Sequence, residues 1–189
     1  MKTSARDLAR LSFNYPEVGY TAILASRGET TERMARYRVV DVRRRIGTGP
    51  SSYVRASKSL LSLDVHRAAG LTVSPPGTQV REGANLILSY GVAFLRVDAP
   101  CRIVYTVEGD RSVSFAYGAL NGHPESGEAR FEVSIIESEA VWLSILSFSA
   151  PVWTLARVAG PFVRSIQDSI NRRYVAAAVS VAAGQDHGG

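Results

Sequence analysis

The string His123-Pro124-Glu125-Ser126-Gly127-Glu128 places one imidazole and two carboxyl groups within six residues. A histidine beside a carboxylate is a poised acid/base pair, because the carboxylate fixes one imidazole tautomer and raises its pKa. His123, Glu125 and Glu128 are therefore candidate catalytic groups, with the Tyr117 phenol as a fourth proton carrier. The same three could meet a metal, yet no second histidine is spaced to join them, so neither a metal nor a cofactor is expected. A structural role competes with both. Asn121-Gly122 and Ser126-Gly127 are turn pairs, and the carboxylates could pair with arginines such as Arg130.

A second group of residues has the makings of a ligand pocket. Tyr90, Phe94, Tyr105, Phe115 and Trp142 fall at alternating positions of apolar segments, where they line a cavity or fill a core. Buried tyrosine and tryptophan need hydrogen-bond partners, so such residues on an inward face would anchor a polar ligand group. Arg96 and Arg130 interrupt apolar strands and could receive a carboxylate or phosphate. His66 closes a helical pattern and suits the negative end of its dipole. Cys101 follows Pro100 with no histidine nearby and reads as a small core residue. No GxSxG elbow, GxGxxG or GxxxxGK[ST] element is present, so the corresponding hydrolase and nucleotide folds gain no support.

The chain has 189 residues, 46% hydrophobic and 21% charged, which suits one globular domain. A chain of this size buries roughly 70% of its unfolded surface, enough for a core with a cavity. With one cysteine it has no intramolecular disulfide. The start of the chain carries Lys2, Arg6, Asp7 and Arg10 without an apolar segment behind them, and no run approaches the roughly 20 apolar residues of a membrane span. A soluble, cytoplasmic protein is the expectation. The net charge of +5 is almost all arginine. Its densest cluster, Arg43-Arg44-Arg45, lies within an alternating strand pattern, which favours a solvated face over a nucleic-acid site.

Residues 1–35 are polar, with an extended patch from Phe13 to Gly19, and form an N-terminal extension. A first strand is expected at Tyr37–Ile46, then a helix from Ser51 to about His66. From Leu71 the period becomes two. Segments at 71–73, 86–97, 102–107, 112–120, 128–136 and 141–148 read as strands joined by short turns, hence an antiparallel meander. The chain from Pro151 reads as helical, broken at Gly160-Pro161 into a short and a long piece. In the long piece Phe162, Ile166, Ile170, Tyr174 and Ala178 form one apolar stripe that needs a sheet to lie on. Residues 184–189 read as a disordered tail.

This order is what a helix-grip α+β fold requires: a curved antiparallel sheet wrapped around a long C-terminal helix, with an internal cavity, over residues 36–183. The segments Phe13-Asn14-Tyr15-Pro16-Glu17-Val18-Gly19, Ile46-Gly47-Thr48-Gly49, Phe115-Ala116-Tyr117-Gly118-Ala119-Leu120 and the HPESGE string also resemble an uncharacterised family, domain-of-unknown-function family nineteen-ninety. The resemblance covers about Phe13 to Tyr174. It implies kinship with the START-like, birch-pollen-allergen-like superfamily, whose members include lipid and hormone carriers, cyclases and oxygenase subunits. Fold kinship that broad does not choose an activity.

The functional expectation is a domain that binds a hydrophobic small molecule in an internal cavity. One version is a cofactor-independent cyclase or isomerase on a polyketide-like substrate, with proton transfers by the HPESGE hairpin. A non-catalytic carrier or sensor and a purely structural module stand beside it. A monomer and a homodimer are equally compatible with the sequence.

Overall fold

The computed structural model describes residues 5–28, 31–92, 95–152 and 160–185. Seven strands, β1 (Arg38–Thr48), β2 (Thr72–Ser74), β3 (Asn85–Val92), β4 (Leu95–Glu108), β5 (Ser112–Ala119), β6 (Glu125–Ile135) and β7 (Ala140–Pro151), form one sheet. Their order is β1-β7-β6-β5-β4-β3-β2, and every adjacent pair is antiparallel. Strands β3 to β7 therefore form a meander, and β1 closes onto β7. The chain crosses from the β1 edge to the β2 edge through α3 (Pro50–Leu61) and α4 (Asp64–Ala68). These two helices and the C-terminal α5 (Gly160–Ala183) cover one face of the sheet, with α5 against α3, α4, β1 and β7.

That covered, inner face holds the larger core. Along β6 and β7 the two-residue period turns Phe131, Val133, Leu143 and Ile145 inward, each at 2% exposure, against Leu60 of α3 and Ala178 of α5. Sheet and helix bury their apolar sides on each other, as the α5 stripe requires. Of that stripe, Tyr174 and Ala178 are buried and Ile170 packs at the margin. The side chains of Phe162 and Ile166 and the end of the tail lie outside the described residues, as does most of the helical piece expected from Pro151, although Pro151 itself ends β7 rather than starting a helix.

Two elements differ from the sequence reading. The helix expected to run to His66 stops at Leu61, because Leu63 adopts a left-handed backbone (φ 62°). A new short helix then starts at Asp64, whose carboxylate accepts the Ser62 hydroxyl at 2.5 Å. The strand expected at 86–97 is two strands, β3 and β4, that pair with each other, Val92 opposite Leu95. Consequently β4 runs on through Pro100-Cys101 to Glu108 rather than beginning at Arg102.

The outer face is covered too, by a strap formed from the N-terminal residues. Phe13 bridges to Leu120, and Asn14 N–H donates to the Ala119 carbonyl at 3.0 Å. Tyr15, Leu24, Met34 and Tyr37 then form a second core with Leu146 and Phe148. The Phe148 ring receives the edges of Tyr15, Tyr20 and Tyr37 at 5.7, 6.4 and 5.0 Å. The strap includes α1 (Ala5–Arg10), α2 (Tyr20–Arg27) and a 3-10 turn (Glu32–Arg36).

Glu128 fastens this strap. It is 3% exposed and accepts from Tyr15 Oη (2.7 Å), Gly19 N (2.7 Å), Thr21 N (3.1 Å) and Thr21 Oγ1 (2.5 Å). Helix α2 has no side-chain cap of its own, since Gly19 holds its cap position. A carboxylate more than a hundred residues later caps its first turn instead, satisfying donors that a helix start leaves open. Burial, then the adjacent Glu128, pushes the Tyr15 phenol above its usual pKa. Gly118 completes the seam: a Cβ there would lie 2.0 Å from Tyr15 Oη and 2.8 Å from the Phe13 ring.

Two substitutions test the seam from opposite sides. Glu128→Gln turns an amide N–H2 toward donors and should cost on the order of 3 kcal/mol, while Gly118→Ala should cost about 1–3 kcal/mol by overpacking. Both should expose residues 11–37 to limited proteolysis before the sheet unfolds. Stability unchanged within about 0.5 kcal/mol, with the strap still protected, would contradict the clasp.

Candidate ligand-binding site

Beneath α4 and α5 the inner face carries polar groups that its core does not satisfy. His66, on α4, is completely buried, and neither Nδ1 nor Nε2 has a hydrogen-bond partner. Four aromatic rings surround it: Phe131 and Tyr174 at 4.9 Å between centroids, Phe115 at 5.8 Å and Tyr117 at 6.0 Å. The break at Leu63 produces this placement, because it turns α4 so that His66 points into the core rather than ending a longer helix. Burial first, and Arg67 second, lower the imidazole pKa to about 3. His66 is thus neutral at physiological pH, with one donor and one acceptor nitrogen.

Two phenols stand beside it. Tyr174 of α5 is 3% exposed, and its Oη also lacks a hydrogen bond of normal geometry, although it faces the Tyr117 hydroxyl. Burial raises both phenols above their usual range, Tyr117 strongly. Each buried polar group without a partner costs about 1–3 kcal/mol, so three such atoms within one aromatic cluster are a sizeable penalty. Cys101, also on the inner face, is wholly buried, and burial raises its thiol pKa.

The groups expected to act together are divided between faces. Glu125 shares the inner face of β6 with Ala129 and Phe131, at the end of the sheet, and it is an electrostatic neighbour of Tyr117 and Tyr90. Glu128, three residues on, faces outward into the strap. His123 engages the hairpin backbone: its Nδ1 lies 2.9 Å from the Glu125 N–H and 2.8 Å from the Glu125 carbonyl. Burial lowers its pKa to about 4, against a smaller rise from the Glu125 backbone. The expected His123–Glu128 acid/base pairing is therefore not made in this structure. Tyr117 is the member of the set that reaches the His66 cluster.

The expected lining residues divide in the same way. Phe115 is buried in the inner core, and Tyr90 is on the inner face with its phenol pushed up to about 12, first by burial and then by Glu125. Phe94 lies outside the described residues. Tyr105 is outward, because a register irregularity between Ile103 and Tyr105 reverses the alternation of β4; its hydroxyl lies 2.8 Å from Thr21 Oγ1 in the strap. Trp142 is outward as well, opposite Arg45 in register, with the Arg43 guanidinium 4.8 Å above its ring. Arg96 pairs with Asp98 and Arg130 with Glu132, both on the outer face. Among the described residues, no three His, Cys, Asp or Glu come together in a way that would hold a metal, and no helix is long and apolar enough to cross a membrane.

The model of the family described as a domain of unknown function, DUF1990, matches residues 14–177. The chain belongs to this family. The matched span contains both the Tyr15–Glu128 clasp and the His66–Tyr174 cluster of this DUF1990 protein. A UPF0548 protein of Arabidopsis thaliana is 29% identical over 133 residues, covering 67% of this chain and 64% of the relative. The chain thus spans a little under two thirds of that relative's length. A UPF0548 protein of Deinococcus radiodurans is 28% identical over 180 residues, covering 85% and 83%. Among solved structures, a hypothetical protein of Helicobacter pylori superposes with a TM-score of 0.56 at 11% identity, covering 96% of this chain and 99% of that one. That likeness shows a shared fold.

The neutral, buried His66 has a consequence for stability. Its pKa falls on folding, from 6.5 to about 3, so the unfolded chain binds the extra proton between those values. Stability is full above about pH 6.5 and is lost as pH falls below it, by up to about 1.4 kcal/mol per unit. Between pH 7 and pH 5 the wild type should lose about 2 kcal/mol more than His66→Phe in denaturant unfolding. Parallel pH profiles would show that His66 is not held neutral.

Proposed function

We propose that this protein binds a small, largely apolar molecule between the inner face of the sheet and α5, with the ligand's polar group received by His66, Tyr117 and Tyr174. The observation that carries this reading is the His66–Tyr174 cluster. Two wholly buried imidazole nitrogens without partners, inside a ring of aromatic side chains and beside the facing Tyr117 and Tyr174 hydroxyls, are what an amphipathic ligand would complete. The aromatic faces supply apolar contact, and the neutral imidazole and phenols supply hydrogen bonds of either sense.

Carriage or sensing is the better-supported form of this activity. Glu128 is engaged by the strap and His123 by the hairpin backbone, so neither carboxylate nor imidazole of that pair adjoins the inner cluster. A cyclase or isomerase acting on a polyketide-like substrate would rest instead on Glu125 and Tyr117, which share the inner face and sense each other electrostatically.

Native mass spectrometry of the protein purified from its expression host, followed by denaturing extraction, tests the reading. An apolar molecule with an oxygen function should co-purify and be depleted in Tyr174→Phe. Recovery of that molecule unchanged after incubation would favour a carrier, and its conversion an enzyme. An empty protein, with no thermal shift across a panel of uncharged apolar compounds, would overturn the proposal.

A further inference from the structure

Strand β1 is one edge of the sheet, and among the described residues no strand other than β7 pairs with it. Its register with β7 is unbroken from Arg38 to Arg45, which leaves a long edge open for pairing. Three successive residues of this edge, Arg43, Arg44 and Arg45, are exposed. They alternate across the sheet, with Arg43 and Arg45 on the outer face and Arg44 on the inner side, opposite Leu143. Each guanidinium rests on a neutral group. Arg43 lies 4.8 Å above the Trp142 ring, Arg44 donates to the Arg43 carbonyl at 2.9 Å, and Arg45 donates to Thr48 Oγ1 at 2.6 Å. A side chain thus supplies a donor to an edge-strand carbonyl, a role that a neighbouring strand's N–H plays inside the sheet. Beyond the basic run, Asp41 is exposed between the half-buried Val40 and Val42.

We propose that the open edge of β1 receives an extended, acidic segment of a partner protein as an added strand. Laid antiparallel, such a segment sets successive residues opposite Arg45, Arg44 and Arg43, each on the same face of the sheet as its partner. Three consecutive carboxylates then each meet a guanidinium. The next residue, opposite Val42, is apolar, and the one opposite Asp41 is basic. Main-chain hydrogen bonds supply the affinity, and the charge pattern sets partner and register. A second copy of this chain fits less well. Its residues 41–45 bring three arginines against one aspartate, so pairing two copies adds to the positive excess that an acidic segment cancels. A nucleic acid would meet the charge without strand pairing. The arginines therefore act twice: their like charge discourages edge-to-edge association of copies, and it admits one class of partner. This docking does not require a ligand at His66.

A fluorescein-labelled peptide, Ser-Glu-Glu-Glu-Val-Lys-Val-Thr, titrated with the full chain and followed by anisotropy, tests this surface. It should bind saturably. Methylating alternate backbone nitrogens should abolish binding for one of the two alternate sets and spare the other, because only one set faces β1. The double variant Arg43→Glu, Arg45→Glu changes only exposed side chains and should bind the peptide about tenfold more weakly while still unfolding cooperatively. Equal binding of both methylated peptides would show attraction by charge alone and overturn the proposal. So would no binding of the unmodified peptide, or tighter binding of a single-stranded oligonucleotide or of phosphatidylglycerol vesicles. Sedimentation of the chain as a dimer that the double variant dissociates would assign the edge to a second copy and overturn it too.

Discussion

A sheet buried on both faces must satisfy the polar groups of everything laid against it, and in this protein the two faces meet that requirement unequally. On the outer face the Glu128 carboxylate gathers two backbone N–H groups and two hydroxyls of the strap, although Asn14 Oδ1 and the Trp142 indole N–H there have no partner. On the inner face, His66 is buried as deeply and neither of its ring nitrogens has a partner. Both arrangements depend on β6, whose period of two sends Glu128 outward and Phe131 inward. The Glu128 clasp outside holds the strap to the sheet. Unsatisfied polarity inside is where a ligand has something to contribute.

The strap has a further effect on the site. By covering Phe148 and Leu146 it lets β7 be apolar on both sides, so the sheet's inner surface is backed by a second core rather than by water. Gly118 and Gly127 allow the close approaches this needs: Tyr15 lies over Gly118, and Gly127 (φ 147°) would put a Cβ 2.0 Å from the Phe148 carbonyl oxygen. The glycine- and carboxylate-bearing strings of the sequence are therefore explained by one seam. Gly118, Gly127 and Glu128 serve structural attachment, while the residues that point to binding are His66 of α4, Tyr174 of α5 and Tyr117 of β5.

Much of the fold was legible because its signals are local. Alternation over Ser112–Leu120 and Val141–Phe148, the Asn121-Gly122 turn and the stripe from Ile170 to Ala178 each report on a few neighbouring residues. Which face an alternating residue occupies is a different matter. The irregularity before Tyr105 and the cover over Trp142 are set by distant partners, so Tyr105 and Trp142 carry no mark of facing outward. The break before α4 was hidden for a similar reason: a leucine at positive φ has no sequence signature, and without that break His66 reads as a helix-end histidine. Its position amid Leu60, Leu61, Leu63 and Val65 was the available clue, a histidine embedded in an apolar run. Glu128 misled in the opposite direction, since a carboxyl near a histidine in sequence looks the same whether or not their side chains meet.

The central claim is that His66 meets the polar group of an apolar ligand. It is tested most directly by ¹⁵N-imidazole NMR of the histidine-labelled protein, with resonances assigned through His66→Phe and His123→Ala. Addition of 1-decanol should move the His66 ring nitrogens, reporting a new hydrogen bond to a neutral imidazole, and leave those of His123 in place. A His66 spectrum that does not respond at saturating ligand, or a response confined to His123, would contradict the account.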